Sequence, residues 1–238
     1  MRVLLQPAFI LHRRPYRDTS LLLEAFSHEH GRLGLVARGA ASARSRLKSM
    51  LQPFVPLLLS WSGAGDLAAL TAAEETGRPA PLPPGQVLAG LYANELLVRL
   101  LPRQDSLPGL FAAYRTLLAE LAAAADAEPP LRRFEKCLLE ELGYGLSLDR
   151  EAVSGMPIVA EQRYCYVLDR GPLVADSGVP GVPISGRGLL ALRDGMLADP
   201  TVLREVKHLT RAALAEQLRG RVLKTRELYR AKREPWPE

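Results

Sequence analysis

Residues 19–38 read TSLLLEAFSHEHGRLGLVAR, which is two runs rich in aliphatic side chains joined by a short polar segment. Runs of this length around a Gly-containing turn are typical of two β-strands joined by a hairpin turn. We therefore predict strands over residues 19–27 and 32–38, with His30 and Gly31 in the turn between them. His28 and His30 belong to this polar turn, and we do not interpret them as metal ligands.

Similar runs lie on both sides of this hairpin. They are set off by turn signals at Arg14-Pro15 and at residues 62–65, and they predict three more strands, over residues 3–11, 54–61 and 66–72. No helix long enough for a parallel crossover separates the five strands. The pattern favours a small antiparallel barrel or sandwich, and an OB-type barrel is one economical arrangement.

A proline-rich segment marks the end of the β region. Residues 76–86 contain four prolines and two glycines, and the apolar pattern is helical from there on. We predict an α+β protein with an OB-fold domain over residues 1–78, a linker over 79–85 and a mainly helical domain over 86–238. Helices are predicted over residues 87–101, 107–125, 131–142, 186–197 and 201–218. A Gly/Pro-rich insert lies at about 150–185, with short strands at 163–168 and 173–175.

Composition excludes several classes of protein. With 47% apolar and 24% charged residues the chain can bury a core, and no apolar run approaches the roughly 20 residues of a membrane helix. No secretory leader is recognisable. Cys137 and Cys165 can form at most one disulfide and cannot complete a four-thiolate zinc site. We expect a cytoplasmic protein.

Positive charge is concentrated at the two ends of the sequence. Basic side chains outnumber acidic ones nine to three in residues 1–60 and ten to five after residue 200, whereas residues 61–200 hold 12 basic and 18 acidic side chains. Such a distribution fits a polyanion partner. We predict a DNA-binding surface from the amino-terminal basic residues, which are Arg13, Arg14, Arg17, Arg32, Arg38, Arg44, Arg46 and Lys48.

The segment over residues 39–52 is central to this prediction, because its cations alternate with small residues that have little to bury. Base stacking would also need aromatic side chains. Phe26 and Phe54 lie in apolar runs and are expected in the core. Tyr16, between Arg14 and Arg17, is expected to be exposed.

Catalytic patterns are weak along the chain. Glu140 and Glu141 are adjacent on a predicted helix, so their carboxylates diverge and cannot flank one bond. Gly186 and Gly188 open a predicted helix and could offer backbone donors to an anion, but the Gly-Lys-Ser/Thr part of a P-loop is missing. A nuclease would need a carboxylate cluster for metal ions. A purely structural scaffold is the second alternative to DNA binding.

Ordered motifs in both halves resemble those of the RecO family of bacterial recombination and repair proteins. They are found at residues 8–20, 31–33, 36–40, 51–54, 92–97, 131–135, 142–145 and 224–228. The resemblance spans essentially the whole chain. It implies an OB-fold followed by a helical domain, in a nucleoid-associated recombination mediator without catalytic chemistry or cofactor. Such a protein binds single- and double-stranded DNA, anneals complementary strands, and with RecR helps RecA load onto DNA coated by single-strand binding protein (SSB).

The resemblance also implies a site for the acidic carboxy-terminal tail of SSB on the helical domain. Arg132 and Arg133 are the matched residues, with Lys207 and Arg211 as further candidates at the rim of an apolar groove. Leu131 and Phe134 are expected to face inward, and Arg132, Glu135 and Lys136 to lie toward the other face. The alternative is that the two arginines form an internal salt bridge to Glu135 or Glu128.

One departure from the family concerns metal. Many relatives carry two Cys-x-x-Cys pairs for zinc in the insert, whereas residues 153–156 and 176–179 contain no cysteine. We therefore predict no structural zinc, and an insert held by ordinary packing.

Overall fold

The computed structural model describes residues 2–42, 44–63, 65–77, 81–175 and 179–233, the last four of them by backbone alone. The amino-terminal strands are β1 (Arg2–Tyr16), β2 (Ser20–Ser27), β3 (Gly31–Ala37), β4 (Pro56–Ser62) and β5 (Leu67–Glu75), with a short helix α1 (Leu47–Met50) before β4. The strands form a closed barrel in the order β1-β2-β3-β5-β4, antiparallel except where β3 meets β5. The predicted five-stranded barrel is confirmed.

Alternation along the strands fills the barrel with aliphatic side chains. Ile10, Leu23, Leu35 and Leu59 are fully buried in one cluster. The predicted turn at Arg14-Pro15 is wrong, because β1 continues to Tyr16 and the turn occupies residues 17–19. Pro15 is tolerated since β1 pairs with β4 only as far as Phe9, so one edge of the strand is open there.

The described part of the connection over residues 39–52 buries more than predicted. Leu47 and Met50 of α1 pack against the barrel core, and Leu51 is fully buried in it. Phe54 has a left-handed φ of 71°. The Phe54 ring packs on α2 at Gly90. A Cβ atom added to Gly90 would lie 2.8 Å from the Phe54 ring.

Three longer helices belong to the same compact unit as the barrel, which comprises residues 1–124 and 223–238. They are α2 (Val87–Leu100), α3 (Pro108–Ala123) and α7 (Lys224–Arg233). Phe9 and Phe26 on the outer face of the barrel contact Phe111 and Tyr114 of α3, with ring centroids 5.1–6.4 Å apart. Helix α7 was not predicted.

The second compact unit covers residues 125–222. It contains α4 (Glu128–Glu141), α5 (Gly186–Asp194), α6 (Pro200–Leu218) and a three-stranded antiparallel sheet of β6 (Arg163–Val167), β7 (Gly171–Val174) and β8 (Val182–Ser185), in the order β7-β6-β8. Tyr164, Tyr166 and Ile184 of the sheet share a core with Leu189 and Leu209. Strand β8 was missed because the insert reads as Gly/Pro-rich.

The two units are divided differently from the predicted domains. Helices α2, α3 and α7 group with the barrel, because aromatic residues on its outer face need cover. Residue 78, residues 79 and 80 of the predicted linker, and residues 176–178 of the insert lie outside the described residues.

Candidate nucleic-acid interface

Strand register brings several predicted cations to one end of the barrel. Arg14 pairs with Leu22 and Tyr16 with Ser20, while Leu22 pairs with Val36 on its other side. Inward-facing Leu21 and Leu23 alternate with these residues, so Arg14, Tyr16, Leu22 and Val36 share the outer face. Arg38 follows β3 directly at this end.

Two hydrogen bonds bring the 39–52 connection to the same end. The Ala41 N–H donates to the Thr19 carbonyl at 2.8 Å, and Arg13 Nη1 donates to the Lys48 carbonyl at 2.8 Å. Arg44, Arg46 and Lys48 are exposed on this connection.

We call the resulting set of exposed cations the cationic end, which consists of Arg14, Arg17, Arg38, Arg44, Arg46 and Lys48. Within the described ranges, no carboxylate forms an ion pair with any of the six. Asp18, in the β1–β2 turn, is the acidic side chain nearest to them in sequence. Exposed cations that form no ion pair with the described residues are suited to meet phosphates.

Arg13 and Arg32 do not fit the predicted DNA-contacting role. The half-buried Arg13 faces the barrel end, and its Nη1 bonds the carbonyls of Lys48 and Leu51. Arg32 lies toward the opposite end of β3, where its Nη1 is 2.9 Å from Glu24 and its Nε donates to the Leu101 carbonyl. Both arginines hold the fold together.

The two compact units differ in net charge. The barrel unit contains 18 basic and 12 acidic side chains, whereas the second unit contains 13 basic and 14 acidic ones. The whole net positive charge of the chain therefore belongs to the unit that carries the cationic end, which favours that unit as the one that approaches a polyanion.

The second predicted site has a different geometry. Arg132 is 2% exposed and its Nη2 lies 2.8 Å from Glu135, which is fully buried. The prediction that both side chains face away from the core is wrong, because each needs the other as a buried counter-charge. This is the internal salt bridge of the alternative interpretation, and Arg132 does not lie on a rim. Its Nε and Nη1 are buried with no hydrogen-bond partner in the part of the chain that is described.

The other three candidates for this site are more accessible. Arg211 is exposed on α6, Lys207 is ion-paired to Glu128, and Arg133 is half-buried with its Nη1 near the Gly195 carbonyl. Although desolvation tends to raise the pKa of Glu128, the charges of Arg132 and Lys207 outweigh it and hold that pKa below its ordinary value. Glu128, Lys207 and Arg211 thus form one charged group, and the role of the two cations at a binding site stays a prediction.

The anion-binding potential of the α5 N-terminus is used internally. Glu205 accepts from the backbone N–H of Ser185, and Ser185 Oγ in turn accepts from the Gly188 N–H. Arg163 pairs with the same carboxylate at 2.7 Å. Although burial tends to raise the pKa of Glu205, the hydrogen bonds from Ser185 and the contact with Arg163 lower it overall. A carboxylate of the chain itself therefore occupies the place where an external phosphate could have bound.

Across the ranges given above, no cluster of three or more His, Cys, Asp or Glu side chains is arranged to hold a metal ion. None of the helices in those ranges combines the length and apolar character needed to cross a membrane. The predicted polar turn is present at residues 28–30, with His28 edge-on to Phe111 and His30 edge-on to Trp61.

Comparison with known protein families assigns the chain to one of them. The family model "Recombination protein O N terminal" matches residues 1–77, and "Recombination protein O C terminal" matches residues 85–227. The chain belongs to the RecO family. The protein named DNA repair protein RecO of Methylococcus capsulatus is 50% identical over 230 residues, which cover 97% of this chain and 94% of that protein. The relative of the same name in Nitrosococcus oceani is 49% identical (96% and 93% covered), and that in Halorhodospira halophila is 44% identical (96% and 97% covered).

Sequence reasoning missed several residues that shape this RecO-family barrel. Asn94 Nδ2 donates to the Leu11 carbonyl at 2.9 Å, at a register irregularity in β1, and Tyr114 Oη donates to Asn94 Oδ1. Arg103 pairs with Glu24 beside Arg32. Glu95 accepts from the backbone N–H groups of α7 at its start. A polar residue such as Asn94 within an apolar helical stripe is the signal that could have revealed this docking contact.

Proposed function

We propose that this RecO-family protein is a recombination mediator in DNA repair that binds single- and double-stranded DNA at the cationic end and uses no catalytic side chain. The observation that carries the proposal is the convergence of six exposed cations on one end of an OB-type barrel. The relatives are named DNA repair proteins, which supports the biological role. A DNA-bound protein of this kind would associate with the nucleoid.

Strand annealing follows from charge placement. Two DNA strands repel each other through their phosphates, and a protein that neutralises phosphates on both strands lowers this repulsion. Contacts to the backbone are not base-specific, so the bound strands remain able to test their register. No proton transfer or bond cleavage is required, and the protein needs no cofactor.

The partner proteins are proposed from the family resemblance. With RecR, the protein would help RecA load onto DNA coated by SSB. The SSB tail would bind the second unit, where Lys207 and Arg211 would meet its carboxylates and apolar residues of α4 and α6 would receive its hydrophobic end.

A salt titration tests DNA binding. Changing Arg44, Arg46 and Lys48 together to Ala should lower the affinity for any sequence and reduce the slope of log K against log salt by up to about 2 for single strands. The control replaces Arg150, Arg187 and Arg204, three exposed cations of the second unit, and should leave the slope much less changed. An unaltered slope in the first variant would remove the cationic end from the DNA site.

A peptide titration tests the SSB site separately. Arg211→Ala combined with Lys207→Ala should weaken a fluorescent SSB-tail peptide at least tenfold, about 1.4 kcal/mol, while naked-DNA binding is largely retained. Arg187→Ala is the control because it removes an exposed cation from the same unit. If the peptide binds the double variant as tightly as the native protein, the α6 cations are not its site.

The alternative functions predict other outcomes. A nuclease would shorten labelled DNA in the presence of divalent ions, and a purely structural scaffold would bind DNA weakly with no effect of the triple variant. Either result would contradict the proposal and support the corresponding alternative.

A further inference from the structure

The outer face of β1, β2 and β3 at the cationic end has an aromatic and apolar centre. Tyr16 is half-buried at the last position of β1, and the half-buried Leu22 and Val36 lie on the same face. Arg14 precedes Tyr16 by two residues, and Arg38 follows Val36 by two. A ring and aliphatic side chains bordered by cations form a surface that suits a molecule with both a flat apolar part and negative charge.

The β1–β2 turn positions Arg17 against the Tyr16 ring. Arg17 Cζ lies 5.2 Å from the ring centroid, within cation–π range. Arg17 also has a left-handed φ of 54°, which non-glycine residues seldom adopt. The contact therefore constrains the ring from one side and keeps a positive charge beside it.

Among the described residues, helices cover the other half of this face but not this half. Phe9 and Phe26 contact Phe111 and Tyr114, and Asn94 binds the Leu11 carbonyl at the border. After Leu11 in the sequence, the side chains of His12, Arg14 and Arg17 are exposed. The uncovered half of the sheet thus starts where the docking contacts of α2 and α3 end.

We propose that Tyr16, held on one side by Arg17, is the position at which an unpaired nucleobase of single-stranded DNA stacks, with Leu22 and Val36 supporting the base. Every base has a π face, so the contact would be tolerant of sequence, whereas paired bases in a duplex are not available to it. The Tyr16 site would favour single strands, while the surrounding cations serve both forms of DNA. This inference rests on the proposed function, because it assigns a role within the same DNA-binding surface.

The test compares two probes that differ only in their bases. The native protein is titrated at one salt concentration with fluorescent oligodeoxythymidylate of about 20 nucleotides, enough to span an OB-fold site, and with a backbone of equal length made of abasic residues. Tyr16→Leu should weaken binding to the thymidylate at least about fivefold, as loss of one stacked base predicts, and should leave the abasic probe and duplex DNA nearly unchanged. Tyr16→Phe should retain the preference, and Tyr144→Leu, at an exposed tyrosine of the second unit, serves as the matched control.

The outcomes separate this inference from the proposed function. If Tyr16→Leu binds thymidylate as tightly as the native protein does, or loses the same factor on both probes, Tyr16 does not stack with a base. If the native protein binds neither probe, the DNA-binding function itself fails. If the Arg44, Arg46 and Lys48 variant keeps full affinity, DNA binds elsewhere than at the cationic end. Equal thermal melting of the Tyr16→Leu and native proteins establishes that any loss is local.

Discussion

Arginines at the cationic end and in α4 were both expected to bind polyanions, yet their surroundings differ fundamentally. Arg44 and Arg46 are exposed, and no ion pair to them is found in the described ranges. Arg132 is 2% exposed and paired with a fully buried glutamate. The same side chain is therefore an exposed charge in one region and an internal counter-charge in the other. Burial decides the role, because a desolvated charge must be paired before it can do anything else.

The largest expected effect is the loss of stability when the buried Arg132 is replaced. Arg132→Met removes the guanidinium that faces Glu135, and breaking a buried pair in this way should lower the free energy of unfolding by about 3–5 kcal/mol. Urea denaturation measures it. Arg44→Ala is the counterpart at the cationic end and should stay within about 0.5 kcal/mol.

A double variant sharpens this prediction. Arg132→Met together with Glu135→Leu removes both charges, so much of the lost stability should return. If Arg132→Met alone is as stable as the native protein, the ion pair is not the role of Arg132.

The next effect distinguishes two neighbouring arginines of β1. Arg13→Ala loses the hydrogen bonds from Nη1 to the Lys48 and Leu51 carbonyls, and should cost about 1–2 kcal/mol of stability. Arg14→Ala should cost little stability but reduce the single-strand salt slope by about 0.7. Denaturation and salt titration of both variants check the difference. If instead Arg14→Ala lowered stability and Arg13→Ala reduced the salt slope, Arg14 would be the structural residue and Arg13 the one that contacts DNA.

The smallest effect is a pH dependence in the second unit. Because the folded-state pKa of Glu128 lies below its ordinary value of 4.5, the carboxylate contributes stability above that pH. The contribution is lost as the pH falls through the lowered folded-state pKa. Unfolding free energies measured from about pH 6 to pH 3 should therefore fall less steeply for Glu128→Gln than for the native protein. Equal slopes would mean that Lys207 and Arg132 do not stabilise this carboxylate.

Prediction from sequence succeeded where local pattern decides structure. The strands at 20–27 and 31–37 and the helices α2, α3 and α6 lie close to their predicted positions, because aliphatic runs and turn residues determine them. It failed where the conformation or burial of a residue depends on groups that are distant in the sequence. Pro15 reads as a turn but lies on an open strand edge, and Leu47 and Met50 read as part of a loop but pack on the core of the barrel.

By itself, the sequence determined the barrel, the order of the elements other than α1, β8 and α7, the excess of cations near the amino terminus and the family of the chain. All of these depend on residue type and spacing along the chain. Only the tertiary structure decided which cations are exposed to solvent and which face a carboxylate of the same molecule. Arg32 and Arg44 look alike in the sequence, but Glu24 and the Leu101 carbonyl engage Arg32, whereas Arg44 is exposed. The physical reason is that pairing and desolvation depend on groups distant in sequence, so the charge of a side chain specifies what it can bind but not what it does bind.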